Sequence, residues 1–272
     1  MPILKVKQEK GEIGFQHVNC YESRGVSMEK LIREAVTIFN ITKDFSFILN
    51  VDDRPASVGE PSVPLFHFSS FWDDCRDAFP DFMYDGWPEI GIPDYEVERA
   101  ALADLGEPLS NKIGWIGAVT CYDREVLLRY GHHNRSFCDF RENTWNRKDP
   151  SNLHLHTSSY MTMQDQARSW KYLFDIKGAG WSARLKLLLA SNRIVFMTAR
   201  TYREWFFPFL EPWVHFIPVS SDFADFEENY RKIEGDLGLQ KSILQNQRVF
   251  AEQYCSRRAA LCKIADIINS LE

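Results

Sequence analysis

The segment from Lys171 to Val219 constrains this chain more than any other. An apolar run with strand composition, Tyr172 to Ile176, leads into Gly178-Ala179-Gly180, then into Ser182 and a helical run at Leu185 and Leu187 to Leu189. Past Ser191-Asn192 a second apolar run, Ile194 to Met197, reads as another strand. Strand, tight turn, helix and strand form a βαβ-like unit, which places its two strands in parallel in one sheet. Ser182 is predicted to cap the helix. Free backbone N–H groups and the positive end of a helix dipole suit such a turn to an anion, and Arg184 adds a full charge, so a phosphate is the matching guest. The same pattern also occurs in turns that bind nothing, where glycines supply positive φ and the serine only caps. The segment alone leaves both readings open.

The flanking sequence continues the alternation. Ser27 is predicted to cap a helix with Met28, Leu31, Ile32, Ala35, Val36 and Phe39 at helical spacing, and Phe45 to Val51 then reads as a buried strand running into Asp52-Asp53-Arg54-Pro55. Carboxylates at the C-terminal end of a strand stand where open α/β sheets bind ligands. Aspartate before proline is also common for backbone reasons alone. Pro64 to Phe68 is predicted as a strand, Tyr95 to Leu105 as a helix and Lys112 to Gly117 as a strand ending in a small-residue turn. A helix is expected after Asp222, through Phe223, Phe226, Tyr230 and Ile233, and one long or broken amphipathic helix from Gln240 to Leu271. The chain divides on this reading into residues 1–110, 111–245 and a C-terminal helix 246–272.

Composition bounds the rest. The 272 residues, 44 % hydrophobic with twenty Phe and eight Trp, suffice for two compact domains or one large one. A formal charge of −6 argues against general binding to nucleic acid or anionic lipid. Met1 to Lys10 lacks the apolar core of roughly 7–15 residues that a secretory signal carries, and the run Leu185 to Ala199 is too interrupted to span a membrane. Six scattered cysteines without a Cys-x-x-Cys pair read as reduced thiols, and a cytoplasmic location is expected. His132-His133 and His154 with His156 lack the further ligands of a zinc site.

Lys171-Tyr172-Leu173, Gly178, Trp181-Ser182, Arg184, Glu204-Trp205 and Pro212 to Val219 together resemble the CAP10-like glycosyltransferases of family 90. Matching motifs run from about residue 45 to about residue 225. The form Gly-x-Gly-Trp-Ser-x-Arg is similar to the fungal and microbial branch, which contains xylosyltransferases. The resemblance implies an α/β, GT-B-like fold of two Rossmann-like domains facing a cleft, with the C-terminal helix packing back on the first. It implies an inverting transferase moving xylose or glucose from a UDP-sugar to a hydroxyl of a glycan or glycoconjugate, without a metal or other cofactor.

Residue by residue, the resemblance puts Asp53 at the general base of an Asn-Val-x-Asp-x-Pro pattern, and Ser182 and Arg184 at the donor nucleotide, with Lys177, Gly178, Gly180 and Trp181 in the same loop and Thr198 at the end of the next strand. Gly117 and Thr120 align with a loop that closes over the diphosphate. That loop often carries an arginine absent here, so either Lys112 or Lys177 supplies the charge or Arg184 and backbone N–H groups hold the leaving group alone. Glu204 suits the ribose hydroxyls, since a carboxylate accepts two hydrogen bonds from a vicinal diol, and capping or ion pairing with Arg203 or Arg200 is its alternative role. Trp181 next to the donor sugar would favour the smaller UDP-xylose over UDP-glucose. Two alternatives stay open: a non-catalytic nucleotide-sugar or glycan-binding protein, and a metal-dependent transferase using Asp52 and Asp53.

Overall fold

The computed structural model describes residues 1–56, 62–143, 157–158 and 160–271. Two compact units divide the chain: residues 1–97, 201–209 and 253–272 form the first, and residues 98–200 and 210–252 the second. The chain first passes from one unit to the other between Val97 and Glu98, and it returns to the first unit at 201–209. Ser70 and Arg203 exchange both backbone hydrogen bonds, at 2.8 and 3.0 Å, which ties that returning segment to the first unit.

The first unit carries a four-stranded sheet of order β2-β1-β3-β4, with β1 at Ile3–Glu9, β2 at Glu12–Val18, β3 at Phe45–Asn50 and β4 at Leu65–His67. β1 is antiparallel to both neighbours and β3 is parallel to β4. The N-terminal hairpin was not foreseen from sequence. Its alternation is brief, with Leu4 and Val6 buried and Lys5 and Lys7 exposed, and its turn is Lys10-Gly11, both at positive φ as a two-residue hairpin loop requires.

Helix α1 spans Glu22–Ile38, beginning five residues before the predicted cap Ser27. Gly25, which resembles a helix breaker, lies inside its first turn because a Cβ there would fall 2.5 Å from the His17 ring on β2. Helix α2 is Tyr95–Ala103. Its first residue, Tyr95, is buried in this unit and donates its hydroxyl to the Cys255 carbonyl.

The second unit is built on a six-stranded parallel sheet of order β10-β9-β8-β5-β6-β7. Its strands are β5 (Ile113–Gly117), β6 (Cys138–Asn143), β7 (Thr157–Ser158), β8 (Tyr172–Asp175), β9 (Ile194–Thr198) and β10 (Ile217–Val219). Helices α3 (Tyr122–His133), α4 (Met163–Ser169), α5 (Leu185–Ala190) and α6 (Phe226–Glu234) connect and follow them. β8 and β9 are buried at every position, which is why they read as continuous apolar runs. An aromatic layer of Phe140, Phe174, Phe196 and Phe226 fills one face, with ring centroids 5.1 to 6.1 Å apart.

Two predicted helix starts move. Asp222 closes a turn by accepting from the Ala224 N–H, and α6 begins only at Phe226. Ser182 does not cap α5, which starts at Leu185 and has no side-chain cap. The C-terminal helix is broken into α7, Leu237–Tyr254, and α8, Arg257–Ser270, by Ser256, whose hydroxyl accepts from the Ala259 N–H. In the first unit α8 packs against α1, with Arg257 paired to Glu34. Among the described residues no helix is long and apolar enough to cross a membrane.

Candidate active site

Asp175 ends β8 and is fully buried. Its Oδ1 accepts a 2.7 Å bond from the Ser182 hydroxyl and lies 3.4 Å from Nε of Arg184, while its Oδ2 accepts from Arg200 Nη2. This carboxylate explains why Ser182 is not a cap: the hydroxyl turns back to a charged acceptor, a stronger bond than one to a helix N–H. Arg184 donates a further bond of 2.8 Å to the Ile116 carbonyl at the end of β5. Arg200 lies just beyond β9, with its side chain 1 % exposed.

A third guanidinium enters from α3. Arg124 donates from Nε to the Lys177 carbonyl and from Nη1 to the Ala118 carbonyl, both at 2.9 Å, clamping the loop after β5 to the loop after β8. Gly178 suits this approach, since a Cβ would lie 3.3 Å from Arg124 Nη2. The indole of Trp115 has both the Arg124 and Arg184 guanidinium carbons at 5.6 Å from its ring centre. Gly117 leaves room for that indole, whose nearest carbon would stand 2.7 Å from a Cβ. Burial, then repulsion from Arg184, pushes the Arg124 pKa down to about 10, and burial lowers that of Arg184 against the opposing effect of Asp175.

Three guanidinium groups thus gather around one carboxylate at the C-terminal ends of β5, β8 and β9. The Arg184 Nη2 atom and the Nε and Nη1 atoms of Arg200 are buried without a protein acceptor. Leaving a buried polar group unsatisfied costs about 1–3 kcal/mol, and more where it is charged. An anion with several oxygen acceptors would satisfy these donors and relieve the repulsion among the cations. The charge comes from the arginines and not from a helix terminus, because α5 has only six residues.

The sequence-predicted donor residues divide accordingly. Ser182, Arg184, Lys177, Gly178 and Gly117 lie at or beside the Asp175 cluster, and Thr120 borders it, with its hydroxyl 3.7 Å from where a Gly178 Cβ would stand. Gly180 follows in the same loop and is buried. Thr198 closes β9 in register with Val219. Lys112 does not supply the missing charge: its ammonium bonds the Arg135 carbonyl, and it precedes β5 at the end opposite to this cluster. Lys177 is paired with Asp123 at 3.1 Å. Trp181 is buried, 6 % exposed. Glu204, also buried, belongs to the 201–209 segment of the first unit. Arg124 and Arg200 were missed because a lone arginine on a helix or past a strand has no signature until strand order makes β5, β8 and β9 neighbours.

In the first unit, Asn50 organises the turn that follows β3. Its Oδ1 accepts from the Asp52 N–H at 3.0 Å, and its Nδ2 donates to the Arg54 carbonyl at 2.8 Å and to His67 Nδ1 at 3.1 Å. Asp52 accepts from the Asp53 N–H, leaving the Asp53 carboxylate part-exposed and paired to Arg24 at 2.9 Å. Among the described residues no three His, Cys, Asp or Glu side chains come together as metal ligands. His132 accepts from Arg135, and His154 and His156 lie outside the described residues. Among the described residues no cysteine is in a disulfide, and Cys75, Cys138 and Cys255 are buried.

The family model for glycosyl transferase family 90 matches residues 13–257. The chain belongs to glycosyltransferase family 90. It is 25 % identical over 258 residues to protein O-glucosyltransferase 1 of Rattus norvegicus, covering 87 % of this chain and 64 % of that protein. To the Homo sapiens protein of the same name it is 24 % identical over 270 residues, covering 92 % of this chain and 67 % of that one. The chain thus spans about two thirds of the length of these curated relatives. A crystal structure of a glycosyltransferase from Rickettsia africae is similar with a TM-score of 0.49 and 11 % identity, over 75 % of this chain and 62 % of that one.

Proposed function

We propose that this family 90 member transfers a sugar from a UDP-sugar to a hydroxyl of a glycan or glycoconjugate, with inversion and without a metal ion. The observation that carries the reading is the Asp175 cluster, where buried guanidinium donors lacking protein acceptors stand at the C-terminal edge of a parallel sheet. A nucleoside diphosphate leaving group offers the negative oxygens those donors need, and the fixed arginines stabilise the charge that develops as it departs. That neutralisation is what a divalent cation supplies in other transferases.

Asp53 is the proposed base, at the aspartate of the Asn-Val-x-Asp-x-Pro pattern. The Asp53 carboxylate takes the proton of the acceptor hydroxyl, the acceptor oxygen forms its bond to the anomeric carbon, and the bond from that carbon to the diphosphate oxygen breaks. UDP leaves with the bonding electrons, and the proton ends on Asp53. Attack opposite the leaving group inverts the anomeric centre.

For the donor sugar we favour glucose over xylose. The relatives' names specify O-glucosyl transfer, and the steric case for xylose rested on Trp181, whose indole is buried.

Release of UDP from UDP-glucose and UDP-xylose, with a panel of glycan and glycoprotein acceptors and with and without EDTA, tests the reading. Acceptor-stimulated UDP release that persists in EDTA is expected. A strict Mn²⁺ or Mg²⁺ requirement would move Asp52 and Asp53 to metal ligation, and UDP binding without turnover on any acceptor would favour a binding protein.

A further inference from the structure

We propose that Arg200 is a diphosphate-binding residue of the donor site, held for that task by Asp175. The inference rests on the donor-site reading and deepens it by adding a second cationic ligand to Arg184.

Arg200 follows β9 and is the most enclosed arginine of the cluster, with its side chain 1 % exposed. Only one of its three nitrogens has a protein acceptor: Nη2 meets Asp175 Oδ2, while Nε and Nη1 are buried and unpartnered. A guanidinium kept only to brace the fold would be expected to spend its donors on nearby carbonyls, as Arg124 does on Lys177 and Ala118. Arg193 shows the same pattern elsewhere in the unit, bonding the Ala167, Asn192 and Gly106 carbonyls through all three nitrogens. Arg200 instead keeps two buried donors, Nε and Nη1, one on either side of the nitrogen that Asp175 holds, each able to meet a separate phosphate oxygen.

Asp175 fits a positioning role. Its two oxygens receive Ser182, Arg184 and Arg200, so it fixes three side chains while neutralising only one of the two arginines. The excess charge is left for a ligand. Arg184 Nη2 is also buried without a partner, so the two arginines together hold three N–H-bearing nitrogens that lack a protein acceptor.

The test compares UDP with uridine, in competition or by calorimetry, on the full chain carrying Arg200→Met, Arg200→Lys or Arg184→Met. Arg200→Met is expected to weaken UDP by tenfold or more and leave uridine within twofold, roughly the scale of one charge-assisted hydrogen bond. Arg200→Lys, which retains the charge but not the separate Nε and Nη1 donors, should fall between Met and the parent. Equal loss for UDP and uridine with a lowered Tm would make Arg200 a bracing residue and overturn the proposal. UDP affinity unchanged in Arg200→Met but lost in Arg184→Met would leave the donor site standing without Arg200. Unchanged affinity in both would remove the donor site itself. Should Arg200→Met fail to fold, Arg200→Lys decides: parental UDP affinity there would show that the guanidinium donors do not hold the diphosphate and would overturn the proposal. Asp175→Asn is expected to raise the donor KM with a smaller change in kcat, since it releases both arginines without touching the reacting atoms.

Discussion

The Asp53 carboxylate is held 2.9 Å from Nη2 of Arg24, whose Nη1 donates at 2.9 Å to the Val51 carbonyl of the same turn. The guanidinium is itself fixed between the rings of Tyr21 and Phe82, at 4.9 and 5.0 Å. Arg24 therefore sets both the position of the turn and the direction in which the proposed base points. Arg24→Met is expected to lower kcat on the order of 10²-fold, the scale on which a misplacement of about 1 Å acts, with UDP affinity unchanged. Steady-state kinetics beside a UDP titration check this; a parental kcat would remove Arg24 from the mechanism.

Acid should loosen the same turn. Burial lowers the pKa of His67, with Asp77 opposing, and the Asn50 amide donates to its Nδ1. That amide cannot turn round without losing its bonds to Asp52 and Arg54. The folded state thus binds fewer protons at His67 than the unfolded chain, whose imidazole titrates near about 6.5. His67 imposes no penalty well above that value, and stability is lost as pH falls through it. Burial of His215 acts in the same direction. Melting temperatures from about pH 7.5 to about pH 5.5 should decline, and His67→Gln should flatten part of the decline; an unchanged slope would assign it elsewhere.

Removal of Arg124 should uncouple two loops. Its bonds to the Ala118 and Lys177 carbonyls are the clamp between the loops after β5 and β8. Arg124→Met is expected to lower Tm and to raise the donor KM more than it changes kcat. A variant with parental KM and Tm would show that the loops hold their places without it.

Trp181 should matter to the fold more than to sugar choice. Truncation of a buried tryptophan to alanine typically costs about 3–5 kcal/mol. Trp181→Ala is expected to show that loss in chemical denaturation while its ratio of kcat/KM for UDP-glucose over UDP-xylose stays parental. A ratio that moves tenfold with stability intact would return Trp181 to the sugar pocket.

Much of the sheet was legible because its strands are continuous apolar runs: Phe45–Asn50, Ile113–Gly117, Tyr172–Asp175 and Ile194–Thr198 lie within about a residue or two of where composition put them. The turn after β3 was legible for the same reason, with Asn50 to Pro55 following a run that had to end at the sheet edge. Helix starts were less so. Ser182 has the composition of a cap, but a buried carboxylate seven residues back outcompetes the helix N–H groups for its hydroxyl, and nothing local announces that carboxylate. Gly25 marks a close approach to His17 and not a helix end.

The block Pro212 to Val219 illustrates a motif that builds the fold. Trp213 is at positive φ, its N–H donates to the Phe216 carbonyl at 2.7 Å, and the His215 ring packs on Phe250, so this stretch shapes the approach to β10. Arg124 and Arg200 became visible only through the strand order, which brings residues far apart in sequence around Asp175.

The most direct measurement pairs turnover with binding in Asp53→Asn. UDP release from UDP-glucose in the presence of an active acceptor should fall by about 10²–10⁴-fold, the usual worth of a general base, while calorimetric affinity for UDP stays within a few-fold of the parent. Parental turnover in Asp53→Asn, or a loss that falls on Asp52→Asn instead, would contradict the assignment of Asp53 as the base.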